Sequence, residues 1–155
     1  MAYETTEVPI ARTQEALRKL IQSHKGFGLA VISEQDPAGK EPAQEGFQAK
    51  VMIDGVPYIV KIMATAKPAP KYSSERQKQV HFEQEQRRIW RVLYWHMKSV
   101  FEAADSGVME FRELMLPYIV IPGDGRTIAE HILPKLAAAL AGDPSHLLPE
   151  KTEGR

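Results

Sequence analysis

The chain has 155 residues, no cysteine, 43 % hydrophobic and 26 % charged residues, and a formal net charge of zero. A chain of this length suits one domain able to bury about 70 % of its unfolded surface. The absence of cysteine excludes disulfides and thiolate chemistry. No apolar run approaches the ~20 residues that a spanning helix needs, so no membrane partner is expected.

The neutral total conceals an uneven distribution. Residues 1–66 carry 7 Lys/Arg against 8 Asp/Glu, residues 67–98 carry 8 against 3, and residues 99–155 carry 5 against 9. A basic block inside a neutral protein attracts a polyanion at short range without long-range steering. It is equally compatible with a solvated face that pairs with the acidic tail. Met1-Ala2-Tyr3-Glu4 lacks the basic and apolar regions of a signal peptide, and the lack of cysteine is compatible with a cytoplasmic location.

In chain order, residues 1–12 read as extended, because Pro9 disfavours helix at Val8. Thr13 is the expected N-cap of a short helix with Leu17, Leu20 and Ile21 on one side, ended by Gly26. Residues 29–33 form a short apolar strand. The polar stretch 34–45, with Pro37, Gly39 and Pro42, is read as a flexible surface loop. Phe47, Ala49, Val51 and Ile53 then alternate with Gln48, Lys50 and Met52, the period of a half-buried strand. Asp54-Gly55 is a two-residue hairpin turn, since both positions tolerate positive φ. A return strand over 56–63 completes a three-stranded meander, with Pro57 marking an edge or a strand end.

Residues 64–73 form a basic linker containing Pro68 and Pro70. Ser74 and Gln77 have capping-box spacing, and no Pro or Gly follows until Gly107. The spacing predicts one helix of about 32 residues, roughly 48 Å long. On its wheel Phe82, Ile89, Val92, Leu93, Met97, Val100 and Phe101 share a face, with Trp90 at the margin. Arg87, Arg88, Arg91 and Lys98 fall on the other face together with Trp95. A short helix over 109–116 is stopped by Pro117, and residues 118–121 read as a strand. Pro122-Gly123-Asp124-Gly125 makes a turn. Thr127 and Glu130 open a last helix to about Ala141, which Pro134 should kink or split before Gly142 ends it. The tail 143–155 is read as loose.

The expected fold is therefore α+β and a single domain: a small antiparallel β-meander packed against one long helix, with additional short helices. Its buried face should include Val51, Ile53, Val60, Ile62, Ile89, Leu93, Val100 and Ile119. A helix this long overhangs a small sheet and leaves its 82–90 half short of apolar partners. Self-association into a homo-oligomer is one expected remedy, and an inserted loop is another.

A search for converging catalytic groups finds none, so the protein is read as a non-enzyme with no cofactor. The histidines at 24, 81, 96, 131 and 146 show no pair at metal-binding spacing, and no cysteine completes a zinc site. His81 with Glu85 reads as a solvated contact, and His96 as a hydrogen-bonded core histidine. Gly123-Asp124-Gly125 matches no phosphate-binding fingerprint, and Asp124 would repel an anion. No nucleophile elbow is present.

The basic linker and helix face are the stronger candidates. Lys67, Lys71, Arg87, Arg88, Arg91, Trp95 and Lys98, with Arg76, Lys78, Tyr72 and Tyr94 nearby, combine cations with aromatic platforms. Sites for single-stranded nucleic acid are built from those two components. In the opposing reading Tyr94 and Trp95 pack beneath residues 109–116 and the arginines pair with Glu83 and Glu85. In a third, an apolar patch around Trp90, Tyr94 and Trp95 grips another protein.

At Arg88-Ile89-Trp90-Arg91, Lys98, Glu102-Ala103, residues 118–130 and Leu147-Leu148-Pro149 the sequence resembles small uncharacterised proteins encoded by bacteriophages and prophages. The resemblance implies work in a bacterial cytoplasm and brings no activity with it. A meander followed by a long helix is also similar, in architecture alone, to phage single-strand-annealing recombinases of the Red-beta type. Taken together these readings imply a phage module that binds single strands in replication or recombination, DNA or RNA being left open. The alternative is a phage protein that binds and modulates a host protein, and an enzyme of unrecognised type comes third.

Overall fold

The computed structural model describes residues 8–142. They form α1 (Ile10–Ser23), β1 (Phe27–Glu34), β2 (Gln44–Ile53), β3 (Val56–Thr65), α2 (Glu75–Asp105), α3 (Phe111–Met115), a 3-10 turn (Leu116–Tyr118) and α4 (Ile128–Gly142). The fold is α+β, with an antiparallel sheet in the order β1-β2-β3.

The alternation along β2 sets the centre of this arrangement. Phe47, Ala49, Val51 and Ile53 are buried on one face of the sheet, joined by Val60 and Ile62 of β3. Asp54 (φ 51°) and Gly55 (φ 79°) both occupy the positive-φ region that a tight hairpin turn needs. That turn fixes an unbroken register from Ile53 opposite Val56 to Gln44 opposite Thr65. Glu34 and Gln44–Glu45 belong to strands, so the loop is shorter than 34–45. Asp36 organises it by accepting from the backbone N–H groups of Ala38, Lys40 and Glu41.

Helix α1 starts three residues before Thr13. The Pro9 carbonyl accepts from the N–H groups of Arg12 and Thr13, and the Thr13 side chain is buried inside the helix instead of capping it. At the other end Lys25 (φ 65°), not Gly26, takes the left-handed position. Gly26 is needed for space: a β-carbon there would lie 2.5 Å from Ile21 Cγ2 and 2.8 Å from the Lys50 carbonyl oxygen.

Helix α2 has the expected capping box, with Gln77 N–H donating to Ser74 Oγ and Ser74 N–H to Gln77 Oε1. Its 31 residues extend about 46 Å. Two placements on its wheel differ from expectation. Trp90 is fully buried rather than marginal, and Val92 is exposed. The buried arc of Ile89, Trp90, Leu93, Met97, Val100 and Phe101 is thus rotated toward Trp90 and away from Val92. Within the 82–90 half of the helix, Ile89 and Trp90 are buried and Phe82 is half-buried.

Of the predicted core, Ile119 alone is half-buried, because it lies at the edge of the sheet. It bridges to Val60, and Val120 N–H donates to the Ile59 carbonyl at 2.8 Å. Residues 119–121 fold back on 126–128 through Ile121 N–H to Arg126 O and Ile128 N–H to Ile119 O. The short α-helix ends at Met115, two residues before Pro117, and the chain passes into the 3-10 turn there. Pro134 does not split α4. Having no N–H, it leaves the Glu130 carbonyl without its helical donor, and Arg126 Nη2 donates to that oxygen at 2.9 Å. The tail 143–155 lies outside the described residues. No helix among them is long and apolar enough to cross a membrane.

The C-terminal ends of α1 and α2 are joined by His24. Its ring stacks on Phe101 at a 4.0 Å centroid distance, with Nε2 2.8 Å from Asp105 Oδ2 and Nδ1 2.9 Å from the Leu20 carbonyl. Burial alone would lower its pKa, but the Leu20 carbonyl and Asp105 outweigh burial and raise it above 6.5. A raised histidine pKa stabilises the fold fully below the unfolded value, and the effect is lost as pH rises through the folded value. The melting-temperature advantage of the native chain over His24→Gln should therefore be full at pH ~6 and shrink toward pH ~8. An advantage that stays constant across that window would show that stacking alone holds the joint.

Candidate nucleic-acid interface

Arg87, Arg91, Trp95 and Lys98 lie on α2 away from its buried arc. Trp95 is 39 % exposed. Arg91 lies 5.8 Å and Lys98 4.7 Å from its ring centroid, with Tyr94 edge-on at 5.6 Å. Arg91 is also 5.5 Å from the Tyr94 ring. Arg87 is held by Gln84 Oε1 through Nε at 3.2 Å and Nη2 at 2.9 Å. Among the described residues none of Arg87, Arg91 and Lys98 forms an ion pair with a carboxylate. The pairing with Glu83 and Glu85 expected of a bland surface is therefore limited to Arg88, since Glu83 accepts from Gln79.

Arg88 does not join the stripe. It donates to Glu85 through Nε at 2.6 Å and Nη2 at 3.2 Å, and the two side chains are only 12 % and 6 % exposed. Burial pushes the Glu85 carboxyl up. The Arg88 guanidinium, with the Lys67 N–H donating at 2.7 Å, outweighs that and holds it below the usual carboxylate range. His81 belongs to the same joint, its Nε2 2.9 Å from the Lys67 carbonyl oxygen in an exposed contact. The backbone of Lys67 is thus clamped between two residues of α2. Lys71 lies farther along the linker, its Nζ 5.7 Å from the Tyr72 ring.

A second buried carboxylate is the residue that sequence reasoning missed. Glu45 accepts from Ser33 Oγ at 2.5 Å, Gln86 Nε2 at 2.7 Å and Trp90 Nε1 at 3.2 Å, linking β1, β2 and α2. It continues the inward alternation of Phe47 and Ala49, and that phase was the available signal. Three donors meet most of what a buried carboxylate requires.

Other candidates resolve into structure. His96 is half-buried and edge-on to Tyr118 at 5.7 Å, but its Nε2 finds no hydrogen-bond partner among the described residues, unlike the hydrogen-bonded core histidine expected, and burial lowers its pKa. Asp124 pairs with His131 at 2.7 Å, between Gly123 and Gly125 at φ 85° and 77°. A groove of about 780 Å³ between the 35–43 loop, the linker and α2 carries both signs of charge, Lys40 and Lys78 facing Asp36 and Glu75. That mixture does not suit a polyanion. No group of three or more potential metal ligands occurs among the described residues. Comparison with protein-family models, curated proteins and solved structures returns no match.

The two neighbouring arginine types should separate on mutation. Arg88→Ala strands the buried Glu85 and should cost about 3 kcal/mol of stability. Arg91→Ala removes a half-buried side chain without a carboxylate partner among the described residues, Trp95→Ala an exposed one, and each should cost less than ~1 kcal/mol. Urea denaturation of the three variants checks this. A large loss for Trp95→Ala would make it a packing residue.

Proposed function

We propose that this protein is a non-enzymatic module that holds single-stranded nucleic acid along the exposed stripe of α2. The observation that carries this reading is the Arg91–Trp95–Lys98 group, two cations that pair with no carboxylate among the described residues and lie over one exposed indole. An exposed cation–π contact is worth about 0.5–1 kcal/mol, whereas base stacking on an aromatic side chain contributes about 1–3 kcal/mol. A base can therefore displace Lys98 from the ring, and the freed ammonium then meets the adjoining phosphate. Arg87 extends the cation row by one turn, and Lys67 and Lys71 flank the route at the linker. The resemblance to small phage proteins supports work in a bacterial cytoplasm, and single-strand binding there would serve phage replication or recombination. No metal or cofactor enters this reading.

A second reading has its own observation. Ile132, Leu133, Leu136 and Leu140 of α4 are all exposed, and an apolar helix face of this kind favours a protein partner.

Fluorescence anisotropy with labelled oligothymidylate distinguishes the two. Binding should weaken steeply with salt, because phosphate contacts release counterions. Trp95→Ala should cost about 1–3 kcal/mol of affinity, and Arg91→Ala should reduce the salt slope by about one. Absence of oligonucleotide binding at low salt would overturn the first reading. Nuclease-resistant capture of one protein from a bacterial lysate, lost in Leu136→Asp, would establish the second.

A further inference from the structure

Tyr72 is 94 % exposed, the most solvent-exposed large hydrophobic side chain among the described residues. It is also held at φ 69°, where L residues are rarely found. The adjoining turn is fastened by Ser73, whose N–H and Oγ both donate to the Pro70 carbonyl, at 3.2 and 2.6 Å. The chain thus presents an aromatic ring to water on a bracket that does not bury it. Beside the ring is an open groove of about 710 Å³. Pro70 and Val80 supply apolar lining, and Lys71 and Arg76 supply positive charge. Among the described residues Arg76 pairs with no carboxylate, and Lys71 Nζ contacts only the Tyr72 ring.

This groove is continuous with the α2 stripe. At about 100° per residue, Arg76, Val80 and Arg87 fall on the same third of the helix as Arg91, Trp95 and Lys98. Glu83 is the one carboxylate at the margin of that row, and it is engaged by Gln79. The row from Arg76 to Lys98 is about 33 Å long, the rise of about ten stacked nucleotides.

We infer that a single strand is held at two aromatic stations, Tyr72 with Lys71 and Arg76 at one end and Trp95 with Arg91 and Lys98 at the other. This rests on the reading of α2 as a single-strand site. Its ligand is then an unpaired strand long enough to reach both stations, with phosphates following the cation row between them. Paired bases offer neither ring a free face, so duplex gains nothing from the stations.

The test uses the full chain with labelled oligothymidylates of four and twelve nucleotides at low salt. The twelve-mer should bind at least tenfold tighter than the four-mer. Tyr72→Ala and Trp95→Ala should each weaken the twelve-mer about tenfold, and the double variant about a hundredfold, because the stations lie far apart. A four-mer occupies either station, so each single variant should weaken it no more than about twofold. Ala keeps a β-carbon at position 72 and the side chain makes no core contact, so folding is preserved; matching circular dichroism melts verify it. Tight twelve-mer binding that Tyr72→Ala leaves unchanged would overturn the two stations while the α2 site stands. Failure of the native chain to bind either oligomer would remove the α2 site itself.

Discussion

A carboxylate buried between a sheet and a helix must find donors, and the way Glu45 finds them determines how α2 lies. Its oxygens take the Trp90 indole N–H, the Gln86 amide and the Ser33 hydroxyl. Leaving a buried acceptor unsatisfied costs about 1–3 kcal/mol, and more for a charged one. Trp90 lies inward with these donors, Val92 is left in water, and Arg91, Trp95 and Lys98 lie on the opposite side of the helix. The polar joint on one side of α2 and the candidate site on the other thus share one helix orientation.

The linker before α2 obeys the same logic at smaller scale. Glu85 and His81 hold the N–H and C=O of Lys67, and Arg88 keeps the Glu85 carboxylate paired. Arg88 differs from Arg87 and Arg91 in having been recruited to this joint. Adjacent arginines of the same type serve opposite purposes because one helical step changes which of them can reach a buried acid.

Where a pattern reported local geometry, the sequence was a sound guide. The period-two run at 47–53, the Asp54-Gly55 turn and the Ser74/Gln77 box each depend on residues within reach of one another, and all three appear as expected. What was not legible depended on distant partners. Glu45 looked like loop because its donors are at 33, 86 and 90. Arg88 looked like surface because its environment is made by the linker folding back. Thr13 looked like a cap because the preceding Pro9 carbonyl, which serves that end of the helix, has no side-chain signature. Of the seven candidate binding residues, the Arg91, Trp95 and Lys98 cluster was visible from i, i+4 and i+3 spacing alone. The prominence of Tyr72 was not, because it depends on a left-handed backbone bend that Tyr does not advertise.

The two borders of the sheet are treated differently. In the middle of β3 the Ile119 bridge and the Val120 hydrogen bond occupy the outward backbone groups, so a foreign strand approaching there meets an obstacle. The outer side of β1 has no neighbouring strand among the described residues. Its ladder with β2 is regular only from Ala30 to Glu34, since the register shifts between Phe27 and Ala30. The two borders differ in consequence. Two molecules joining β1 to β1 would use up each other's template there. A third copy would have only the part of β3 beyond the Ile119 bridge to pair with, so strand pairing would favour two copies over a fibre.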